Sequence, residues 1–232
     1  MIETEDDARA RLREALRLDP DAEARLETLV ALLVAENERQ NLVSRGSLAH
    51  IWQRHVVDSA QLLVVSRETP PEGPWPDLGS GAGLPGLVIA AIQPTRRMIL
   101  AESRRLRCDW LERAAAALEL VQVEVVHGRV EDLAVADFAV ISARAFAPLP
   151  RLLDVAAHLS TPETLWLLPK GAAARQELAE IADDWNHLFH VEQSLTDPNA
   201  GVIVGHVLGR APGRPIVTQQ RRATVQPRTS NR

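Results

Sequence analysis

The chain has 232 residues, of which 46% are hydrophobic and 25% are charged, so it is long and apolar enough to bury one sizeable core. Its single cysteine, Cys108, excludes an internal disulfide framework and any metal site built from several thiolates, and it favours a reducing cytoplasmic setting. The net charge of −5 is unevenly distributed, because six arginines and no acidic residue follow residue 209, and the preceding residues carry −11.

The first 66 residues have helical patterns. The segment from Thr4 to Leu18 is charged and alanine-rich, and Asp19-Pro20 then supplies an N-cap with proline at the first helical position. The polar segment from Glu36 to Gly46 interrupts the pattern, and Ser47 is placed to cap a third helix. One apolar face at helical spacing is formed by Leu26, Leu29, Val30 and Leu33.

From Trp75 onward, short apolar runs alternate with helical patterns, which is typical of βαβ units and a parallel sheet. The turn-like segment 197–201 joins the last two apolar runs without a helix, so these should form an antiparallel hairpin. Strands are predicted at residues 75–78, 98–101, 121–126, 138–143, 164–168, 188–193 and 201–208, and helices at 85–92, 104–118, 148–159 and 172–185.

This organisation predicts an α/β protein with three parts. A helical extension covers residues 1–70, the sheet domain covers 71–209, and a basic, disordered tail covers 210–232. Such a tail either contacts nucleic acid or only increases solubility. The acidic N-terminus has no signal-peptide pattern, and no apolar stretch is long enough for a membrane span.

A glycine-rich turn, residues 77–86 (DLGSGAGLPG), follows the first predicted strand and begins a helix. Glycines allow a sharp turn and let a ligand approach the backbone closely. The turn contains the dinucleotide pattern G-x-G-x-x-G, but it overlaps D-x-G-x-G-x-G beginning at Asp77. A carboxylate at this strand end suits a ligand ammonium group and would repel a pyrophosphate. The turn therefore favours S-adenosylmethionine over NAD.

Polar residues also follow the next four predicted strands, namely Glu102, Glu131, Arg144 and Lys170. In open parallel sheets, ligands bind at the edge where the strands end. Glu102 lies where a carboxylate accepts hydrogen bonds from ribose hydroxyls, and the loop carrying Glu131 is placed to cover an adenine ring. Arg144 is suited to a carboxylate or phosphate. Lys170 is the only lysine in the chain, which suggests that an ammonium group is required there.

Together with two upstream motifs, Asn41-Leu42-Val43 and R-H-x-x-D-S over residues 54–59, these features make residues 41–209 similar to the bacterial 16S rRNA guanine-N7 methyltransferase G family. This family is also called glucose-inhibited division protein B. The remaining matching motifs are Arg129-Val130-Glu131, Ala143-Arg144-Ala145 and Pro169-Lys170-Gly171. The glycine-rich turn alone indicates only a class I methyltransferase, whereas R-H-x-x-D-S is more specific.

The resemblance implies a class I, Rossmann-like fold with a seven-stranded, mostly parallel sheet, in which residues 71–209 form the methyltransferase domain. It implies S-adenosylmethionine as the methyl donor and N7 of a guanine in 16S rRNA as the acceptor. The expected partner is this RNA or the small-subunit ribonucleoprotein. We expect a cytoplasmic, monomeric enzyme that binds neither membrane nor metal.

The resemblance and the glycine-rich turn together give a set of expected site residues. Cofactor contacts are expected at Asp77, Gly79, Gly81, Gly83, Leu84, Glu102, Val130, Glu131 and Arg144. The acceptor side is expected to involve Asn41, Arg54, His55, Arg129 and Lys170, with phosphate contacts from Arg104, Arg105 and Arg107. For His55, packing within a helix is an equally good interpretation.

Guanine N7 carries a lone pair and no proton, so no general acid or base is expected. Positioning by Arg144, Lys170 and Asn41 should determine the rate. Three alternatives remain open at this point: a small-molecule methyltransferase with the same fold, an NAD-dependent oxidoreductase, and a non-catalytic RNA-binding module.

Overall fold

The computed structural model describes residues 2, 4–66, 73–181 and 188–207, and in this part of the chain a seven-stranded sheet lies between two layers of helices. The strands are β1 Trp75–Leu78, β2 Met98–Glu102, β3 Val123–His127, β4 Val140–Ser142, β5 Leu165–Lys170, β6 Phe189–Gln193 and β7 Gly201–His206. Their order is β3-β2-β1-β4-β5-β7-β6, with β1 to β5 parallel and β7 antiparallel to both of its neighbours. The predicted mostly parallel sheet with a terminal hairpin is confirmed.

Two hydrophobic cores, one on each face of the sheet, hold these layers together. Helices α5 Gly86–Ile92 and α6 Arg105–Ala117 pack on one face, while α7 Leu149–Ala156 and α8 Ala174–Ala179 pack on the other. Short 3₁₀ turns lie at Val130–Asp132 and Ala157–Leu159. Every predicted strand is found with its ends within two residues of the expected position.

The N-terminal extension packs on the same face as α5 and α6. Its helices are α1 Glu5–Leu16, α2 Pro20–Gln40 and α3 Arg45–Leu48, followed by a π-helical segment, Trp52–Val57, that continues directly into α4 Asp58–Val65. Asp19 accepts a hydrogen bond from Ala22 N at 2.6 Å, which confirms the predicted N-cap. The extension therefore forms an added layer beside the sheet, on the side that carries the glycine-rich turn.

Helix α2 does not end where its apolar pattern ends. It continues to Gln40 because Glu36 and Asn37 are buried and bonded. Glu36 pairs with Arg113 at 3.0 Å, and the Asn37 side chain accepts a hydrogen bond from Val43 N at 2.8 Å. The polar segment therefore belongs largely to the helix, which ends at Asn41 with a left-handed φ of 47°.

The predicted third helix also differs, because Ser47 lies inside the short α3 and does not cap the helix that follows. Part of that following helix is π-helical, and π-helical turns often occur at functional sites. Residues 67–70 of the expected extension and the whole tail, 210–232, lie outside the described residues. Within the described residues, no helix combines the length and apolar character needed to cross a membrane.

Candidate functional site

The glycine-rich turn connects the end of β1 to α5 and is shaped by left-handed backbone angles. Gly79 has a φ of 69°, and a Cβ added there would lie 2.4 Å from the ring of Phe146. Gly83 has a φ of 86°, and a Cβ there would lie 2.3 Å from Leu87. No other residue type fits these positions without strain, so the sequence pattern reflects both conformation and close packing.

Asp77 is fully buried beneath this turn. Its carboxylate accepts hydrogen bonds from Gly86 N at 3.1 Å and from Ser142 Oγ at 2.9 Å, and Ser142 Oγ in turn accepts one from Trp75 Nε1 at 3.0 Å. Burial raises the pKa of Asp77 to about 6, although the bonds from Ser142 and Gly86 act against this shift. Asp77 therefore braces the turn from below, and its contact with a cofactor stays a prediction.

Glu102 lies at the end of β2 and joins the turn to the start of α6. One carboxylate oxygen accepts a hydrogen bond from Gly81 N at 3.0 Å, and the other accepts one from Arg104 N at 2.8 Å. Arg107 Nη1 lies 3.7 Å from the first of these oxygens. The second oxygen also accepts a hydrogen bond from Ser103 Oγ at 3.5 Å, whereas the first can still accept a further bond, so the carboxylate retains the capacity to hold a ribose hydroxyl.

The loop after β3 carries two of the predicted cofactor residues. Val130 is buried, whereas the exposed Glu131 pairs with Arg129 at 2.7 Å and with Arg151 at 3.9 Å. The hydrogen bond from Arg129 lowers the pKa of Glu131. Glu131 is therefore a carboxylate held by arginines on the same loop edge as Glu102.

A cleft of about 1060 Å³ opens beside the turn, at the ends of β4 and β5. Its walls come from the sheet edge, the π-helical segment and the β6–β7 turn. It brings together Arg54, His55 and Lys170 of the predicted acceptor side. It is also lined by Arg144, which was predicted both to contact the cofactor and to position the acceptor. The other predicted residues of that side, namely Asn41, Arg104, Arg105, Arg107 and Arg129, do not line it.

Arg144 joins the sheet edge to the extension. Its guanidinium donates to Asp58 Oδ2 at 3.0 Å, to Arg54 O at 3.3 Å and to His55 Nδ1 at 3.1 Å. Its side chain is 18% exposed, so a planar cation remains accessible from the cleft after these bonds are made. The side chain is thus held in place by the protein before any ligand arrives.

The imidazole of His55 is buried and bonded through both nitrogens. A guanidinium can only donate, so Nδ1 accepts from Arg144 and the ring proton lies on Nε2, which donates to Ser47 Oγ at 2.8 Å. Burial, and then the positive charges of Arg144 and Arg54, lower the pKa of His55 to about 4. His55 is therefore neutral at physiological pH and serves as a hydrogen-bonding support.

Lys170, at the end of β5, is held equally firmly. Its Nζ donates to Ala147 O at 2.8 Å and pairs with Glu177 at 2.7 Å, and the same carboxylate accepts a bond from Leu149 N at 2.8 Å. The ammonium group thus ties β5 to the segment that connects β4 and α7. The ammonium group lines the cleft, and among the described residues two of its three N–H donors have partners.

Phe146 is the link between the cleft and the glycine-rich turn. Its ring packs on Gly79, and the same residue lines the cleft. Residue Ala145, immediately before it, has a left-handed φ of 51°, which marks this connection as conformationally constrained. The turn and the cleft are therefore adjoining parts of one surface at the ends of the strands.

Asn41 does not line the cleft, although it directly precedes Leu42 and Val43, which do, and it is exposed at the C-terminal end of α2. Its left-handed backbone explains the residue type, because asparagine tolerates this conformation better than most residues. Among the described residues, no group of three or more His, Cys, Asp or Glu side chains is arranged to hold a metal ion.

Three residues with clear roles in the site were not among the predicted ones: Asp58, Glu177 and Phe146. Asp58 had a detectable signal, because it follows Arg54 at helical spacing within R-H-x-x-D-S. Glu177 and Phe146 act on groups that are distant in sequence, and nothing in their local pattern indicates this.

Comparison with known proteins adds a family match. A family model described as GidB, rRNA small subunit methyltransferase G, matches residues 22–201. A Ribosomal RNA small subunit methyltransferase G from Novosphingobium aromaticivorans is 61% identical over 217 residues, which covers 94% of each chain. A protein of the same name from Erythrobacter litoralis is 54% identical over 212 residues, which covers 91% of this chain and 99% of that relative.

The fold has counterparts among solved structures. A mutant of MtNAS, in complex with S-adenosylmethionine, matches with a TM-score of 0.53 and 15% identity, covering 79% of this chain and 72% of that chain. At this identity the similarity concerns the fold alone; together with the match to a methyltransferase family it confirms the class I architecture expected for the sheet domain.

Proposed function

The chain belongs to the rRNA small subunit methyltransferase G family, and we propose that it transfers a methyl group from S-adenosylmethionine to N7 of a guanine in 16S rRNA. The observation that carries this proposal is the position of the glycine-rich turn beside a cleft that holds two fixed cations, Arg144 and Lys170. One part suits a cofactor and the other suits an anionic substrate.

The residues of the turn fit S-adenosylmethionine. The close packing at Gly79 and Gly83 leaves a tight backbone loop, and Glu102 beside it offers carboxylate oxygens for ribose hydroxyls. When bound, this cofactor supplies an activated methyl group on a sulfonium. We assign cofactor contacts to this turn, to Glu102 and to the loop that carries Val130 and Glu131.

The cleft supplies positioning and no general base. His55 is neutral, but both of its nitrogens are occupied, so it is not free to accept a proton from a substrate. Methyl transfer to N7 requires none, because N7 has a lone pair and no proton. It requires an in-line approach with the reacting atoms about 3 Å apart, which Arg144 and Lys170 are placed to enforce.

Binding of the RNA backbone falls to arginines around the site. Arg54 lies at the cleft, and Arg104, Arg105 and Arg107 lie at the start of α6 beside Glu102. Because the first 209 residues carry a net charge of −11, general attraction to RNA is weak. This favours recognition of a folded ribonucleoprotein over naked RNA.

We assign the catalytic domain to residues 71–209 and the helical extension to residues 1–70. Modification of ribosomal RNA is consistent with work in the cytoplasm, as the single cysteine also suggests.

The test is methyl transfer from labelled S-adenosylmethionine to small subunits, and separately to naked 16S rRNA, taken from cells that lack this enzyme. We expect one new 7-methylguanine, formed faster on the ribonucleoprotein. Arg144→Ala should lower kcat/KM for the RNA about 100-fold, because the acceptor is no longer held in position. Arg97→Ala is the matched control and should change kcat/KM little, because Arg97 is 59% exposed and pairs with Glu124 on β3, outside the site.

Calorimetry with S-adenosylmethionine and with NAD separates the alternatives. Saturable binding of S-adenosylmethionine alone, together with RNA methylation, supports the proposal. Binding without methylation of either RNA form would favour a small-molecule methyltransferase, and binding of NAD alone would overturn the proposed chemistry.

A further inference from the structure

Helix α1 lies outside the matched family range, 22–201, yet it contacts the segment that carries the cleft residues. The carboxylate of Glu5 accepts hydrogen bonds from Trp52 N at 2.7 Å and from Gln53 N at 3.3 Å. These two N–H groups belong to the first turn of the helix that begins at Ile51, where backbone donors have no partner within the helix. A carboxylate at this end also interacts favourably with the helix dipole.

Two further contacts hold the same segment from the N-terminal side. The Arg9 guanidinium lies 4.6 Å from the centroid of the Trp52 ring, and Trp52 is largely buried. The Gln53 side chain donates to Ile2 O at 3.4 Å and to Thr196 O at 3.1 Å. Both Ile2 and Thr196 line the cleft, so these bonds join three of its walls.

The capped residues immediately precede the residues that hold Arg144. Arg54 provides the carbonyl and His55 provides the imidazole nitrogen to which the Arg144 guanidinium donates. The segment is π-helical, a rare conformation that departs from the regular hydrogen-bond pattern of an α-helix. Its geometry therefore depends on external contacts, and Glu5 supplies the only charged cap found among the described residues at this helix start.

We propose that Glu5 is a positioning residue for the acceptor side of the cleft, acting through Trp52 and Gln53 to fix the segment that holds Arg144. The inference rests on the proposed function, since its effect is expected on transfer to RNA. It gives helix α1 a role in the reaction that neither the family match nor the sequence motifs assign.

The test compares the full chain with Glu5→Ala, Glu5→Gln and the control Asp6→Ala. Asp6 is exposed and lies in the same first turn of α1, so its replacement removes the same charge without touching the cap. For each protein we would measure kcat and KM for the RNA substrate, the Kd for S-adenosylmethionine and the melting temperature.

We expect Glu5→Ala to lower kcat/KM for the RNA about tenfold while changing the S-adenosylmethionine Kd by less than about twofold. Glu5→Gln keeps one acceptor oxygen for Trp52 N and should lower kcat/KM for the RNA only about threefold. Asp6→Ala should behave like the unmodified chain in transfer and in cofactor binding.

The inference is overturned if Glu5→Gln and Glu5→Ala transfer methyl groups as Asp6→Ala does. It is also overturned if cofactor affinity falls in parallel with RNA transfer, because that result indicates general loss of structure. Absence of RNA methylation by the unmodified chain would instead refute the proposed function, and the two failures are thereby distinguishable.

Discussion

The imidazole of His55 is kept neutral by its surroundings, and this makes its contribution to stability depend on pH. Its pKa is about 4 in the folded chain and near the ordinary 6.5 when unfolded. Between these values the unfolded state binds more protons, so folding stability falls as pH drops through this window. The histidine thus favours the folded state fully only above about pH 6.5.

His55→Asn should expose this dependence, because the amide oxygen still accepts from Arg144 but does not titrate. We expect the wild type to lose about 1 kcal/mol relative to the variant between pH 7 and pH 5. Urea unfolding at the two pH values measures the difference. An equal difference at both pH values would contradict the assignment of a neutral, buried imidazole.

The carboxyl of Asp77 changes folding stability with pH in the opposite direction to His55, over nearly the same pH range. Burial raises its pKa to about 6, above the unfolded value of 3.8, so the folded state binds more protons between these values. This carboxyl therefore favours folding more at pH 5 than at pH 7.

Asp77→Asn replaces one carboxylate oxygen by an NH₂ group, and either Gly86 N or Ser142 Oγ loses its acceptor. We expect a loss of about 1–3 kcal/mol at pH 7. This loss should grow by about 1 kcal/mol at pH 5, as the wild-type carboxyl takes up its proton. Urea unfolding of both proteins at each pH tests this, and a loss that shrinks at pH 5 would refute the raised pKa.

Helix α6 holds the glycine-rich turn through one indole. Trp110 is buried, and its Nε1 donates to Ala82 O at 3.1 Å, between Gly81 and Gly83. Trp110→Phe should cost about 1–3 kcal/mol by leaving this carbonyl without its partner. It should also weaken binding of S-adenosylmethionine, because the loop loses its anchor.

The control for this prediction is Trp166→Phe. Trp166 is fully buried in β5 and donates to Ser160 Oγ at 2.7 Å, away from the turn. Both variants should lose comparable stability in urea unfolding, but only Trp110→Phe should raise the Kd for S-adenosylmethionine in calorimetry. Equal cofactor affinity in the two variants would show that α6 does not support the turn.

At the level of elements, the sheet was predictable because buried parallel strands are short apolar runs bounded by polar loops. The end of α2 was not predictable from the sequence. Glu36 and Asn37 are polar, and they stay in the helix through contacts with Arg113 and Val43, which the local hydrophobic periodicity does not indicate. The π-helical segment was also missed, since its cap, Glu5, comes from a separate helix.

The residues of the site also fall into a predictable group and an unpredictable one. Polar residues at strand ends, such as Glu102, Arg144 and Lys170, were predictable because parallel strands end at one edge. The ion-pair partners of Arg144 and Lys170 were not predictable, because Asp58 and Glu177 contact them only in the folded chain. Asn41 itself does not line the cleft, but its neighbours Leu42 and Val43 do, so its role on the acceptor side stays a prediction.

For the whole molecule, the distribution of charge separates cofactor binding from RNA binding. The first 209 residues are strongly acidic, and two cationic groups of the cleft, Arg144 and Lys170, are already paired with Asp58 and Glu177. Long-range attraction to phosphates must therefore come from exposed arginines, and six arginines are concentrated after residue 209, outside the described part of the chain. The tail is thus expected to determine the salt dependence of RNA binding.

Deletion of residues 210–232 should weaken RNA binding and flatten its dependence on salt, while the Kd for S-adenosylmethionine stays unchanged. Every arginine–phosphate pair that the deletion removes should reduce the slope of log K against log salt by about 0.7–0.9. A full-length variant with all six tail arginines replaced by glutamine separates charge from length and should behave like the deletion. Titration of RNA at several salt concentrations measures the slope, and a slope equal to that of the wild type would exclude phosphate binding by the tail.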